Sequence, residues 1–177
     1  MRRGVFDAAD LPYANLMYGG MATQRYMART DLVRKAGGWS VNVRGWDDVE
    51  LGMRLCMQSP RIVKCDGTPT VDTWFTEESI TGTRFCDGSD KFESSLDRMQ
   101  SYATPSLARA INLKRMILAG DCAAEGDKET AVRLRRRSLA DERSPFYRML
   151  LRAVYAYVSH GGRGTARLLR PCYGIRI

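Results

Sequence analysis

The chain is poor in the residues that build metal and disulfide sites. It has one histidine, His160, and five cysteines, none of them in a Cys-x-x-Cys pair. Structural zinc sites need closely spaced cysteines or histidines, and disulfide frameworks use even numbers of cysteines, so the pattern speaks against both. Unpaired cysteines are typical of a reducing compartment. We therefore predict a cytoplasmic protein.

The chain also lacks long apolar runs. No stretch approaches the roughly 18 consecutive apolar residues of a transmembrane helix. Met1-Arg2-Arg3 is followed by Asp7 and Asp10 instead of the apolar segment of a signal peptide. The 177 residues, 44% of them hydrophobic, suffice for one domain with a core, alone or with a helical tail. We expect a protein that neither spans a membrane nor is secreted through a signal peptide.

Acidic residues are fewer than basic ones, which gives a net charge of +8. This balance favours anionic partners such as phosphates, nucleic acid or an anionic membrane surface. The basic residues do not alternate with aromatic ones on a strand platform, and no RNA-binding module is recognisable, so we predict no nucleic-acid partner. The basic run 132–137 follows three acids and is interpreted as a solvated helix face.

Three carboxylates cluster at a predicted loop-to-helix junction, after the turn Gly37-Gly38-Trp39-Ser40. One interpretation is helix capping, with Asp47 as the N-cap and Glu50 completing a capping box. The other is a catalytic carboxylate held at the helix N-terminus. Capping leaves the tryptophan before the acidic pair unexplained, and the residues alone leave both interpretations open.

The order of these motifs resembles the acceptor-side segment of family 2 glycosyltransferases. The resemblance lies in a Gly-Gly-aromatic turn, a short loop, an acidic pair, a third acid two residues later, a leucine and an arginine. Upstream, residues 19–26 and 32–36 resemble the strand, arginine and helix that precede this turn in the family. The similarity covers about residues 15–85, and no family motif follows residue 90.

The resemblance implies an inverting sugar transfer from a nucleotide-sugar to a glycan or lipid-linked acceptor. The second acid of the pair, Asp48, then corresponds to the general base that takes the proton of the acceptor hydroxyl. Asp47 corresponds to the acid that orients the loop and the acceptor, where the family commonly has Glu. The candidate acceptor- or substrate-binding residues are Trp46, Gly45, Arg44, Gly19, Gly20 and Arg54.

The resemblance also implies an α/β chain, or α+β as it stands. Residues 1–85 would form part of a GT-A-like domain with a short sheet, and residues 86–177 a basic helical extension. We expect strands near 14–18, 61–65 and 70–75, and helices over 31–36 and 48–58. In the extension, helices are expected after Ser89, across Leu107 to Gly120, and from Ser144-Pro145 to Gly161-Gly162.

The chain departs from the family in two respects. It has no Asp-x-Asp motif and too few residues before Gly19 for the nucleotide-binding βαβ units, and no histidine follows the predicted strand 70–75. A divalent cation, Mn or Mg, is expected for the complete enzyme, but no motif of this chain would bind it. We thus expect activity to need a donor-domain partner or a homo-oligomer. The alternatives are an inactive remnant or regulatory partner, and a basic helical module that binds a membrane or nucleic acid.

The segment 144–177 combines aromatic and aliphatic residues with arginines, among them Arg148 and Arg152. This composition suits a helix lying in the interface of an anionic membrane, which would place the protein at the inner face of the membrane. The alternative is that the apolar stripe packs on the globular part of the chain.

Overall fold

The computed structural model describes residues 10–63, 84–140 and 142–175, and every regular element in these ranges is helical. Two single 3₁₀ turns lie at Thr23–Arg25 and Cys86–Gly88. The α-helices, in chain order, are α1 (Leu11–Tyr18), α2 (Thr30–Lys35), α3 (Asp47–Cys56), α4 (Ser89–Gln100), α5 (Pro105–Ala124), α6 (Lys128–Ala140), α7 (Pro145–Val158), α8 (Thr165–Leu168) and α9 (Arg170–Tyr173).

Helix α5 is the centre of the fold and contacts α1, α4, α6, α7 and α9. Its start is fixed by Thr104, whose hydroxyl accepts the N–H of Leu107 at 3.3 Å, and by Pro105 in the first turn. Apolar residues recur around the helix, so that it is buried on most of its surface rather than along one stripe. Its fully buried side chains include Leu107, Ile111, Leu113, Met116 and Leu118.

The main apolar core draws on both sides of the proposed boundary at residue 85. Tyr13, Leu16 and Met53 share one cluster with Leu96 of α4 and Ile111 of α5. Helix α1 is also joined directly to α8, because the Tyr13 hydroxyl donates to the carbonyl oxygen of Ala166. The division of the chain at residue 85 stays a prediction.

The predicted α/β fold with a short sheet, and with it the GT-A-like architecture, is wrong for the described residues. They contain no strand. The expected strand 14–18 is part of α1, which starts with Pro12 in its first turn and buries almost all of its residues. A short run of apolar residues shows no periodicity, so its sequence does not distinguish a buried strand from a buried helix. Of the predicted strand 61–65, Arg61, Ile62 and Val63 are exposed and form no strand, and the other two residues lie outside the described residues. The predicted strand 70–75 lies entirely outside them.

Several helix ends agree with the sequence prediction. Helix α2 stops before Gly37, whose φ of 86° is the left-handed conformation that a glycine adopts without strain. Helix α7 begins after Ser144 with Pro145 in its first turn, and Gly161 with φ 83° follows its end. Gly120 does not end α5, because it is the point at which α7 comes closest: a Cβ there would lie 2.6 Å from Cβ of Val158.

The basic run on α6 is only partly a solvated face. Arg133 and Arg137 both form ion pairs with Glu93 of α4, and Arg137 also reaches Asp97 at 2.8 Å. The Arg135 guanidinium lies 5.0 Å from the ring centroid of Tyr155 on α7. The arginines therefore connect α6 to α4 and to α7. Local sequence spacing could not indicate these contacts.

Candidate functional site

The acidic pair lies at the start of α3, where the chain leaves the loop through an unusual backbone conformation. Trp46 occupies the N-cap position with φ 54°. This is the left-handed backbone region, which residues other than glycine rarely adopt. Asp47 and Asp48 follow in the first turn and are half-buried. Free backbone N–H groups at a helix start favour negative charge there. The predicted capping box is wrong, because the N-cap residue is Trp46 and not Asp47, and its side chain accepts no hydrogen bond from α3.

Asp48 combines partial burial with an incompletely used carboxylate. Its Oδ1 accepts the N–H of Val49 at 2.7 Å, and no described residue donates a hydrogen bond to Oδ2. Burial raises the pKa of Asp48 above its usual value, and the neighbouring charge of Asp47 adds to the rise. A carboxylate with a raised pKa is a better proton acceptor than an exposed one.

Two residues of the preceding segment interact electrostatically with this carboxylate. The Arg25 charge opposes the rise in the pKa of Asp48, while an Arg25 guanidinium nitrogen donates to the Gly19 carbonyl oxygen at 3.1 Å. Burial raises the pKa of Tyr26, and the charge of Asp48 raises it further. Both side chains thus lie within electrostatic range of Asp48. They belong to the segment 19–26 that carries the resemblance, but we did not predict them as site residues.

The Trp46 ring is held between two partners. It stacks on Phe92 of α4 with 4.5 Å between centroids and an interplanar angle of 24°. The ammonium of Lys114 on α5 lies 4.4 Å from the ring centroid and donates to the carbonyl oxygen of Met17 at 3.1 Å. The Trp46 ring therefore already packs against an aromatic ring and a cation. A sugar stacked on Trp46, the predicted role, would have to share the ring with these two contacts.

Lys114 is a desolvated cation next to the acidic pair's loop. Burial lowers its pKa to about 8. The charge of Asp121, about two turns further along α5, opposes that shift. Burial in turn raises the pKa of Asp121 to about 6. Lys114 follows Trp46 by more than sixty residues in the sequence, and no local pattern pointed to it.

Arg54, a predicted substrate-binding residue, is engaged inside the fold. It forms two hydrogen bonds with the carboxylate of the fully buried Glu50, at 2.8 and 2.7 Å, and a third with the carbonyl oxygen of Ala36. The Tyr102 hydroxyl donates to the same carboxylate at 3.1 Å. Arg54 therefore attaches the end of α2 to α3, through a buried ion pair with Glu50 one turn earlier on α3.

The predicted glycines have structural reasons for lacking a side chain. A Cβ at Gly45 would lie 3.0 Å from Cβ of Lys91, and one at Gly20 would lie 3.1 Å from backbone atoms of α1. Gly19, with φ 62°, ends α1. Arg44 is exposed, with no ion pair to a described acid. Of the predicted residues, Asp47, Asp48 and Arg44 thus remain without a role in packing.

The described residues do not gather three histidine, cysteine, aspartate or glutamate side chains that could hold a metal ion. The expected Mn or Mg therefore finds no ligand set among them, and we assign no step to a metal held by this part of the chain. A separate cleft, lined by Gln100, Arg109 and Glu142 among others, lies at the start of α5 and does not include the acidic pair.

The arrangement offers a half-buried carboxylate able to take a proton, with an arginine and a tyrosine within electrostatic range. Comparison with known proteins adds no relative: no protein-family description, no curated protein and no solved structure matches the chain.

Proposed function

We propose that the chain contributes the acceptor-side general base of an inverting glycosyl transfer, and that Asp48 is this base. The carrying observation is the state of its carboxylate: half-buried, with a raised pKa, and with one oxygen fixed by the N–H of Val49. The proposal does not depend on a sheet, because Asp48 lies in the first turn of α3 and this helix is held in an all-helical core.

In the proposed step, Asp48 takes the proton of the acceptor hydroxyl as the oxygen attacks the anomeric carbon of the donor sugar. The new bond joins the acceptor oxygen to that carbon, and the bond from the carbon to the nucleoside diphosphate breaks. The hydrogen bond from the N–H of Val49 and the charge of Arg25 both oppose the rise in the pKa of Asp48, and so favour the ionised form that can accept a proton. The nucleotide-sugar is bound by a donor-binding polypeptide beyond the described residues.

Asp47 and Arg44 are proposed to orient the acceptor. Both lie within four residues of Asp48, and neither side chain is needed to hold the helices together. Arg44 is exposed and offers up to five N–H donors to sugar hydroxyls or to a phosphate of a lipid-linked acceptor.

The test is complementation in cells that lack the gene, because these cells supply any donor-binding partner. We expect the wild-type protein to restore the missing glycan and Asp48→Asn to reduce its formation about 100-fold or more, the usual range for loss of a general base. Asp31→Asn is the matched control, since Asp31 is an exposed acid in the first turn of α2. Equal glycan levels with Asp48→Asn and Asp31→Asn, at equal protein abundance, would disprove the assignment.

A further inference from the structure

The end of the chain is a segment of one charge. Residues 144–177 contain no aspartate or glutamate but six arginines, at positions 148, 152, 163, 167, 170 and 176. The acids and bases of residues 1–143 nearly balance, so this segment supplies most of the net charge of +8. Its field attracts polyanions more strongly than that of any other part of the chain.

Three of these arginines are not used by the fold. Arg152, Arg163 and Arg167 are exposed and form no ion pair with a described acid. By contrast, Arg170 pairs with Asp10, and Arg148 donates to the carbonyl oxygens of Leu139 and Glu142. Folding therefore leaves a basic surface around α7 and α8 in which these three arginines form no ion pair with a described acid.

The same surface exposes large apolar side chains. Leu151, Val154 and Val158 form the buried side of α7, which packs on α5. On the opposite side, Phe146, Met149 and Tyr157 are 52%, 57% and 52% exposed. The spacing of three and eight residues places them in one line along a helix about 21 Å long.

The segment after α7 widens this surface. It runs back beside α7, because the Tyr157 hydroxyl reaches the carbonyl oxygen of Arg163 at 3.4 Å and the Tyr147 hydroxyl that of Cys172 at 3.1 Å. Leu168 on this returning segment is 76% exposed. Exposed apolar side chains and exposed arginines therefore lie both on α7 and on the segment that runs back beside it.

We propose that this face, formed by the outer side of α7 and by α8, docks on the surface of a bilayer that contains anionic lipids. Exposed arginines attract the headgroups, and the aromatic and methionine side chains enter the boundary between headgroups and acyl chains. Nucleic acid would use the charge but would leave the apolar line in water. None of the helices in the described ranges combines the length and the apolar character needed to cross a bilayer, so the contact is with the surface.

This inference stands on the surface alone and does not rest on the role of Asp48.

Vesicle sedimentation of the purified protein tests the proposal. We expect binding to vesicles of phosphatidylglycerol and phosphatidylcholine, little binding to phosphatidylcholine alone, and release at high salt. Each basic group near such a surface contributes about fivefold to partitioning, so the double variant Arg152→Glu/Arg167→Glu should lower the partition coefficient at least tenfold. Phe146→Ser/Met149→Ser should also lower the partition coefficient at least tenfold, because it removes two apolar side chains that enter the boundary between headgroups and acyl chains. The net charge of this variant is unchanged, so the loss would not be electrostatic.

Matched controls place the same changes on other faces. Arg34→Glu/Arg136→Glu has the same charge change at exposed positions of α2 and α6, and Val41→Ser/Val132→Ser removes exposed apolar side chains elsewhere. Both controls should bind vesicles within about twofold of the wild type.

Two results would overturn the proposal. The first is an equal loss of vesicle binding in the controls and the test variants, which would indicate general attraction by net charge. The second is wild-type binding to single-stranded RNA with no binding to anionic vesicles. Neither result bears on Asp48, so failure of this proposal is distinguishable from failure of the proposed function.

Discussion

At the scale of single residues, the site is built from side chains whose charges are partly withdrawn from water. Burial raises the pKa of Asp48 and lowers that of Lys114, while Arg54 and Glu50 neutralise each other inside the fold. The sequence indicated the acidic pair because three acids meet there within four positions. It could not indicate Lys114, whose contact with Trp46 exists only once α5 has packed against the loop.

The first prediction concerns the titration of Lys114, whose pKa is about 8 in the folded protein. The unfolded chain keeps this proton up to about pH 10.4, so folding releases it between the two values. The free energy of unfolding should therefore rise with pH across that window, relative to Lys114→Met, which lacks the group. The ¹³Cε resonance of Lys114 should titrate with a midpoint near 8, together with a change in Trp46 fluorescence. A midpoint near 10.4 would contradict the account.

The second prediction concerns the buried carboxylate of Glu50. Glu50→Gln keeps the shape of the side chain but leaves the largely buried Arg54 without its counter-charge. Breaking a buried pair in this way costs about 3 kcal/mol of unfolding free energy, measured by urea denaturation. The double variant Glu50→Gln/Arg54→Met should recover part of the loss.

The exposed pair of Arg29 and Asp31 provides the control for this measurement. Asp31→Asn should leave the urea midpoint unchanged, because exposed pairs contribute little. If Glu50→Gln shifts the midpoint no more than Asp31→Asn does, the buried network does not stabilise the fold.

At the scale of elements, the sequence predicted those helices whose ends are set by local residue preferences, and failed where long-range packing decides the structure. The ends of α2 and α7 were predictable because glycine, serine and proline act through their own backbone preferences. Helix α1 was taken for a strand, since its short apolar run is buried on almost all sides and shows no periodicity. The arginines of α6 pair with α4 across about forty residues, so their spacing on α6 alone predicted only a solvated face.

The third prediction tests the contact between α5 and α7 at Gly120. An alanine there would place its Cβ 2.6 Å from Cβ of Val158, a rigid part of a buried side chain. Overpacking of this kind costs about 1–3 kcal/mol, which outweighs the gain in helix propensity of up to about 1 kcal/mol. Gly120→Ala should therefore lower the melting temperature, and Gly120→Ala/Val158→Ala should be more stable than the sum of the two single changes predicts. Strict additivity would show that the helices do not meet at Gly120.

At the scale of the whole molecule, one helical core holds both the helix of the acidic pair and the inner side of the basic segment. Residues from α1 and α3 share this core with α4, α5 and α7, so that Asp48 is positioned by helices that lie far apart in the sequence. The basic segment contributes the inner side of α7 together with Ala166, Tyr173 and Ile175. The resemblance pointed to the acidic pair, but the expected sheet does not form in the described ranges.

The most direct test of the role of Asp48 is the pH dependence of sugar transfer. Purified protein would be added to membranes of cells that lack the gene, and transfer of radiolabel from nucleotide-sugars into the lipid-linked fraction would be measured from pH 4 to 8. The account predicts a rate that falls in acid with a midpoint above about 3.9, the usual pKa of an aspartate, because burial raises that of Asp48. Asp48→Asn should be about 100-fold slower near pH 7, and its rate should lack this fall in acid, because no carboxylate titrates at position 48. A variant as fast as the wild type, with the same midpoint, would contradict the central claim.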